Sequence, residues 1–322
     1  MQHSNVNVLH EKRHGDRHSP SYANSTLPIS TRKVKKVVDG ARPGYRELLT
    51  RHLSRREYGE APKGYDLLGN IAIVAVPERL KKKGRVIAEI IMQIHPNVET
   101  VLAKAGAVSG RYRTRKFRHI LGKRNYTAVY KENGCVFRFD VRKTFFSNRL
   151  SHERERIADL SHAHGKETVA VLFAGVAPFS IEIAKANPKA EVLSVELNRS
   201  AHEMALENIK LNKTENVTAV NADVKKLASS GEYSGKADRI IAPLPASSLS
   251  FLDSIARIAK KKAIVHLYSF ADADRGEKEV AGKVREHALK NGYSIKVVGS
   301  RIVRPYSARQ AEIALDYEMT KY

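Results

Sequence analysis

Between Thr168 and Asn198 the chain reads TVAVLFAGVAPFSIEIAKANPKAEVLSVELN, and no other stretch narrows the possible folds as far. A β-branched run from Thr168 to Phe173 meets a small-residue turn, Ala174-Gly175-Val176-Ala177. An apolar-periodic helix follows from Pro178 to Ala186, and a second apolar run, Val192 to Val195, ends on Glu196. Strand, glycine turn, helix, strand and acid make the first half of a nucleotide-binding α/β sheet. The turn is small so that backbone N–H groups can approach a ligand. The acid, about 20 residues further on, is placed to accept hydrogen bonds from a ribose diol.

The alternation continues to the C-terminus. The pattern predicts a helix over Arg199–Leu211 and a strand over Val217–Val220 that ends at Asn221-Ala222-Asp223. It predicts a fourth strand, Asp238–Ile241, running into Ala242-Pro243-Leu244-Pro245, and then a helix over Ser247–Lys260. A fifth strand is expected at Ala263–Tyr268, a helix at Glu277–Asn291, and closing strands at Ser294–Val303 and Ala311–Tyr317. Mostly parallel strands that end in an antiparallel pair describe a Rossmann-like methyltransferase sheet better than a dehydrogenase sheet. Its ligand belongs at the carboxyl ends of the first strands.

Upstream, residues 1–60 are basic and polar, with few apolar residues before Val34, and about the first 30 are expected to be disordered. Arg32, Lys33, Lys35 and Lys36 suit either a flexible arm on phosphates or a solvated tail, and a short helix is expected between Tyr45 and Tyr58. Residues 61–150 read as a small α+β domain. It has an apolar strand, Asp66–Val76, interrupted at Gly69-Asn70, a helix-like segment from Glu78 to Ile94, and a strand at Val98–Leu102. A hairpin follows, Tyr126–Tyr130 with Cys135–Val141, turning at Asn133-Gly134. Between them GRYRTRKFR, from Gly110, presents Arg111, Arg113 and Arg115 beside aromatics, a composition that suits phosphates and base faces. Residues 151–322 form the larger domain. At its start Ser151 reads as an N-cap with Arg154 at the capping-box position, which leaves Glu153 either to stabilise the helix dipole or free for other work.

The charge balance names the class of partner. With 57 Lys and Arg against 34 Asp and Glu, the net charge is +23, which implies a polyanion, nucleic acid first. The single cysteine, Cys135, excludes an intrachain disulfide framework and a Cys-based zinc site, and is expected in a buried strand. No apolar run is long enough to span a membrane, so a soluble, cytoplasmic protein is expected. A monomer is expected as well, and no metal site.

Several segments, in order, resemble one family: YDLLGNIAIV, HPNVETVL, GRYRTRKF, YKENGCVFRFDV, FFSNRLSHER, LFAGVAPFSI, ENIKLNK and DRIIAPLPASS. It is that of the archaeal and eukaryotic tRNA guanosine-37 N1-methyltransferases, with the related wybutosine aminocarboxypropyl transferases. The resemblance runs from about Tyr65 to the C-terminus. It implies S-adenosylmethionine as donor and tRNA as acceptor. By the same resemblance Glu153 is the general base at guanine N1, and Arg113 binds O6. Arg149 holds the active-site conformation beside the donor. Phe173, Gly175, Val176, Glu196, Leu197, Ala222 and Asp223 surround the donor, with Glu196 on the ribose and Asp223 near the adenine. Pro245 lines the target-base pocket, and Arg111, Arg115 and Pro243 are substrate-binding candidates beside it.

Three positions depart from the family pattern. Val171 stands where a strand-one acid is usual. Ala177 replaces the second glycine of the turn, which is expected to tighten the approach to the ligand. Pro243 takes the place of an asparagine, giving APLP. The expected activity is transfer of a methyl group to N1 of guanosine 37, next to the anticodon. The rival within the fold transfers a 3-amino-3-carboxypropyl group, and Glu153 with Arg113 favours methyl transfer. A tRNA-binding homologue impaired in catalysis is the rival of another class, motivated by Val171 and Pro243. A nicotinamide dehydrogenase lacks the second and third fingerprint glycines.

Overall fold

A computed structural model describes residues 43–107 and 109–322. The disordered segment and the Arg32–Lys36 cluster expected from the sequence lie outside these residues. Two helices come first, α1 (Tyr45–His52) and α2 (Arg55–Glu60). A capping box opens α2: the Ser54 hydroxyl accepts from the Glu57 N–H while the Glu57 carboxylate accepts from the Ser54 N–H. Strands β1 (Tyr65–Leu68) and β2 (Ile71–Val74) pair antiparallel, so the interrupted apolar run is a hairpin. Its turn requires glycine. Gly69 has φ +61°, and a Cβ there would come within 1.8 Å of the Val129 carbonyl oxygen. Asn70 seals the same approach, accepting from the Val129 N–H at 2.9 Å.

A 3₁₀ turn, Glu78–Lys83, leads into α3 (Gly84–Ile94), which crosses over to β3 (Thr100–Lys104), parallel to β2. A parallel pair needs such a crossover. Strand β4 (Phe117–Gly122) follows the arginine-rich segment and pairs antiparallel with β3. Although composition groups α1 with the basic N-terminal segment, Leu48 and Leu49 are buried in one core with Ile87, Ile91, Val74 and Val101. Strands β5 (Thr127–Glu132) and β6 (Cys135–Asp140) form the expected hairpin, with Asn133 and Gly134 both at positive φ and Cys135 buried.

The remaining elements are α4 (Ser151–His164), β7 (Thr168–Leu172), α5 (Pro178–Ala186), β8 (Glu191–Glu196), α6 (Arg199–Asn212), β9 (Val217–Asn221), α7 (Val224–Ser229), β10 (Ala237–Ala242), α8 (Leu252–Ile258), β11 (Ala259–Asp272), α9 (Gly276–Lys290), β12 (Tyr293–Pro305) and β13 (Gln310–Lys321). Their sheet has the order β9-β8-β7-β10-β11-β13-β12. The first five of these strands are mutually parallel, and β13 and β12 close it antiparallel, as the sequence pattern requires. Alternation along β7 divides the core. Val169 and Val171 pack with Ile157, Phe179 and Tyr268 on one face; Ala170 and Leu172 pack with Leu252, Ile255 and Val284 on the other. Strand order reverses between β7 and β10, which opens a crevice at their carboxyl ends.

Two local expectations change. Ser151 does not cap α4: a 3₁₀ turn, Asn148–Leu150, runs straight into the helix, and the Asn133 side chain donates to the Ser151 carbonyl and hydroxyl oxygens. The helix expected over Ser247–Lys260 is a 3₁₀ turn, Ser248–Phe251, followed by α8, and Ala259 and Lys260 already belong to β11. That strand outruns β10 because β13 pairs with it from Lys262 to Asp272, and Lys260 reaches Asp238 at 2.7 Å. The ENIKLNK motif also finds a purpose. Asn208 and Asn212, one turn apart on α6, bond the N–H and C=O groups of Arg138 and Val136, standing in for a neighbouring strand along β6.

Candidate active site

The turn after β7 is wound by three residues in the left-handed region: Phe173 (φ 57°), Gly175 (φ 60°) and Ala177 (φ 65°). Glycine takes that conformation freely; Phe173 and Ala177 each carry strain of about 1 kcal/mol or more. Ala177 is fully buried in the core and is not among the residues lining the crevice, so its methyl strains the backbone and does not tighten the approach to a ligand. The turn is tied to β8 at two points. Ala174 donates to the Val195 carbonyl at 2.9 Å, and Gly175 donates to Glu196 Oε2 at 2.7 Å. Glu196 Oε1 accepts from the Asn198 N–H at 2.7 Å. Burial raises the Glu196 carboxyl above its usual range, against the pull of these backbone donors.

Above the turn lies a cavity of about 600 Å³, within the range of about 300–1,000 Å³ usual for small-molecule sites. Phe173, Gly175, Glu196, Leu197, Asp223, Pro243 and Pro245 line it, together with Arg111 and Arg113. Phe173 and Phe251 meet edge to face at 4.7 Å and give one end an aromatic wall. Val176 and Ala222 do not line the cavity: Val176 is buried against β6 and α6, and Ala222 packs on the core under α7 and α8. Asp223 caps α7 by accepting from the Lys225 N–H at 2.8 Å, and it pairs with Arg111. Burial acts to raise its carboxyl, but these backbone donors and Arg111 outweigh it and hold the group below the usual range.

A second cavity, about 400 Å³, adjoins the first and shares Arg113, Thr144, Phe145, Arg304 and Tyr306 with it. Lys104, Arg115 and Arg149 add positive charge to its wall, and Phe117, Phe139 and Phe146 add ring surfaces. Arg149 lines this cavity alone. It donates to Asp66 Oδ1 at 2.9 Å, and Lys104 donates to Oδ2 of the same carboxylate at 2.8 Å. Arg113 stands on the shared wall at φ 53°, held by the Gly110–Thr114 turn, with its guanidinium 5.1 Å from the centre of the Phe145 ring. Among the described residues, no hydrogen bond or ion pair holds that guanidinium. Burial lowers its pKa, with Glu312 and Tyr306 acting in the opposite sense.

Glu153 lines neither cavity and is not free. Arg156 approaches its Oε2 at 2.8 Å, the Tyr268 hydroxyl donates to that oxygen at 2.9 Å, and Arg301 lies 3.7 Å from Oε1. Arg156 is three residues along the same helix, a pair that helical spacing allows, but Tyr268 and Arg301 come from β11 and β12, and spacing along the chain could not reveal them. Beneath Glu153 the polar chain continues through Asp316 to His266 and Arg239. Arg239 can only donate, so His266 Nε2 accepts from it and the Nδ1–H donates to Asp316, which fixes a neutral imidazole. Burial would raise the Asp316 carboxyl, but His266, Arg156 and Arg301 hold it down at about 2.

Among the wall residues that were not anticipated are Arg304, Tyr306 and Glu312, from the β12–β13 end of the sheet. A signal existed, since Glu312 and Asp316 stand on one face of an otherwise apolar strand, AEIALDY, where an acid must find a buried partner.

A family model described as the TRM5/TYW2 methyltransferase domain matches residues 128–296, more than half of the chain. The chain belongs to the TRM5/TYW2 methyltransferase family. A second model, the TYW2 N-terminal domain, matches residues 45–125, which include α1 and α2. Trm5b of Pyrococcus abyssi, a tRNA (guanine(37)-N(1))-methyltransferase, is 37% identical over 277 residues, covering 86% of this chain and 80% of its own. The crystal structure of P. abyssi Trm5b superposes with a TM-score of 0.77 and 35% identity, covering 92% of this chain and 87% of its own. Two further members of the TRM5/TYW2 family match in structure. The complex of aTrm5 with tRNALeu gives a TM-score of 0.74 at 28% identity, over 88% of this chain and 80% of the other. TYW2 of P. horikoshii, in complex with MeSAdo, gives 0.72 at 25%, over 86% and 98%.

Proposed function

We propose that this chain transfers the methyl group of S-adenosylmethionine to N1 of guanosine 37 in tRNA. One observation carries the reading: a cavity of about 600 Å³ beside Glu196 and a cationic, aromatic cavity share Arg113 and Phe145 as a common wall. A donor and a flat acceptor held in the two would meet at that wall. The larger cavity fits the donor in three respects. Glu196 retains free lone pairs for a ribose diol, Phe173 and Phe251 offer an apolar wall for a base, and the turn after β7 brings backbone close. S-adenosylmethionine supplies an electrophilic methyl on a sulfonium, and that chemistry needs no metal. Among the described residues no cluster of His, Cys, Asp and Glu could hold one.

Guanine N1 is weakly acidic, so its proton must leave as the N–C bond forms and the S–C bond breaks. Glu153 takes that proton. To reach it, Glu153 exchanges the Tyr268 hydroxyl, or its ion pair with Arg156, for the guanine N1–H. Arg113, desolvated and unpaired among the described residues, donates to O6 and stabilises the charge that develops there. Arg111, Arg115 and Lys104 meet phosphates around the base, and Pro243 and Pro245 bound it. No described helix is long and apolar enough to cross a membrane. The protein acts as a monomer in the cytoplasm.

The test is transfer of labelled methyl from S-adenosylmethionine to transcript tRNA carrying guanosine or adenosine at position 37. Incorporation that depends on guanosine is expected. Glu153→Gln is expected to abolish turnover with tRNA binding nearly intact, and equal loss of both would remove Glu153 from the role of base.

A further inference from the structure

Tyr306 stands between β12 and β13, at the tip of their hairpin, and is 58% exposed. A single aromatic on a surface is ordinary, but a group of them in one place marks a binding surface. Among the described residues the exposed Phe and Tyr side chains are Tyr112, Phe145, Tyr306 and Tyr322, and the first three line the two cavities. Tyr306 lines both. Its backbone is fixed: the Tyr306 and Ser307 N–H groups donate to the Gln310 carbonyl at 2.8 and 2.9 Å, and the Arg309 carbonyl accepts from the Ala273 N–H at 3.0 Å, which ties the tip to the end of β11. The ring leans on Phe270, with centroids 4.3 Å apart and planes 38° apart. Protein therefore backs one side of the ring and leaves the rest open at the mouth of the cleft. Arg309, three residues on, is exposed and has no ion pair among the described residues.

A base that undergoes chemistry has to leave the stack of its own strand, and the bases on either side of it lose a partner. Single-stranded nucleotides are held by aromatic platforms set beside cations. A ring backed on one side, open on the other and fixed by its backbone is such a platform. The two aromatics of the shared wall differ in what they can meet. Phe145 lies under the Arg113 guanidinium, inside the cleft, whereas Tyr306 is the more exposed and stands on a hairpin tip. We infer that Tyr306 stacks on the base next to the target nucleotide, replacing the partner that this base loses when the target enters the cleft, and that Arg309 meets the adjoining phosphate. The inference rests on the tRNA reading above. Every base has a π-face, so the contact tolerates any sequence and supplies grip on the opened loop, not choice of the target.

The experiment pairs a change in the ring with a change in the base. tRNA carrying guanosine at position 37 is prepared intact, or with an abasic nucleotide on the 5′ or the 3′ side of the target, and binding and methyl transfer are measured for each with the unaltered protein and with Tyr306→Ala. Tyr306→Ala is expected to weaken binding of intact tRNA by about fivefold to a hundredfold, the value of one base–aromatic stack. Removing the base on one of the two sides is expected to cost the unaltered protein a similar factor and the variant almost nothing further. Tyr306→Phe, which keeps the ring, is expected to preserve the dependence on that base. Losses that multiply independently on both sides overturn the inference and leave the methyltransferase reading in place. A Tyr306→Ala protein that binds intact tRNA as tightly as the unaltered one, or that loses affinity only for S-adenosylmethionine, overturns it as well. Coupled losses in binding without transfer to any transcript would remove the methyltransferase reading and leave the stacking contact standing.

Discussion

Arg113 combines three features that rarely coincide in one residue: positive φ, partial burial, and no charge partner among the described residues. The strain and desolvation are maintained by the Gly110–Thr114 turn and by the Phe145 ring beneath the guanidinium. Arg113→Ala is expected to lower kcat/KM by about a hundredfold or more, the usual loss for a donor aimed at developing charge, with little change in tRNA affinity. Arg113→Lys should not restore the rate, because an ammonium lacks the planar fork. Single-turnover kinetics on guanosine-37 tRNA, with binding measured separately, checks both. Arg113 was legible because GRYRTRKF concentrates arginine and aromatic residues locally. The surroundings of Glu153 were not. Its partners Tyr268 and Arg301 are brought to it by strand order, which no local pattern encodes.

The hairpin β5–β6 is fastened to α4 and α5 by a buried trio. Arg154 reaches Glu132 Oε2 at 2.7 Å, and its Nε lies 3.3 Å from Glu182 Oε1 but misaligned for a hydrogen bond. Two carboxylates share one guanidinium out of water, so they cannot both ionise at low cost, and burial followed by the Glu132 charge pushes Glu182 up to about 8 against the pull of Asn133 and Arg154. Glu182 Oε1 has no hydrogen-bond partner among the described residues, so this buried carboxyl keeps its proton into the neutral range. Because the folded pKa lies above the unfolded one, this proton stabilises the fold fully below the ordinary carboxylate range. Its contribution is lost as pH rises to about 8, with a slope of at most about 1.4 kcal/mol per pH unit. Glu182→Gln should remove that loss. Urea unfolding at pH 6 and pH 9 is expected to show the variant gaining on the unaltered protein as pH rises, and a constant difference would place the proton elsewhere. The helix carrying Glu182 was evident from its apolar periodicity, whereas its partner across the hairpin turn was not.

Across the whole molecule, a net charge of +23 has to be reconciled with a cleft proposed to take one base. The cations group around the smaller cavity, where Lys104, Arg113, Arg115, Arg149 and Arg304 face a single acid, Asp66. Raising salt from about 50 to 200 mM should therefore weaken tRNA binding steeply, by about a thousandfold if 6 or more phosphates are contacted. On the proposed placement of S-adenosylmethionine beside Glu196 and the apolar walls, its KM should change little. Equal salt dependence of both would undermine this division of the cleft.

The sequence by itself determined what is set by short-range periodicity and by chain connectivity. The spacing from Gly175 to Glu196 dictates one βαβ unit, and alternating strands and helices dictate a parallel sheet with its crevice at the carboxyl ends. Gly69 and the paired asparagines Asn208 and Asn212 were present as motifs before their contacts gave them meaning. Only the tertiary structure decided which distant residues share a wall. It buried Val171 among Ile157, Phe179 and Tyr268, kept Ala177 off the cavity wall and tied Glu153 to Tyr268 and Arg156. It also brought Arg304, Tyr306 and Glu312 from the last two strands to the cleft. The physical reason is that hydrogen-bond register and sheet order place residues more than 100 positions apart side by side, and a one-residue shift in β12 lies beside the residues that reach the cavity wall.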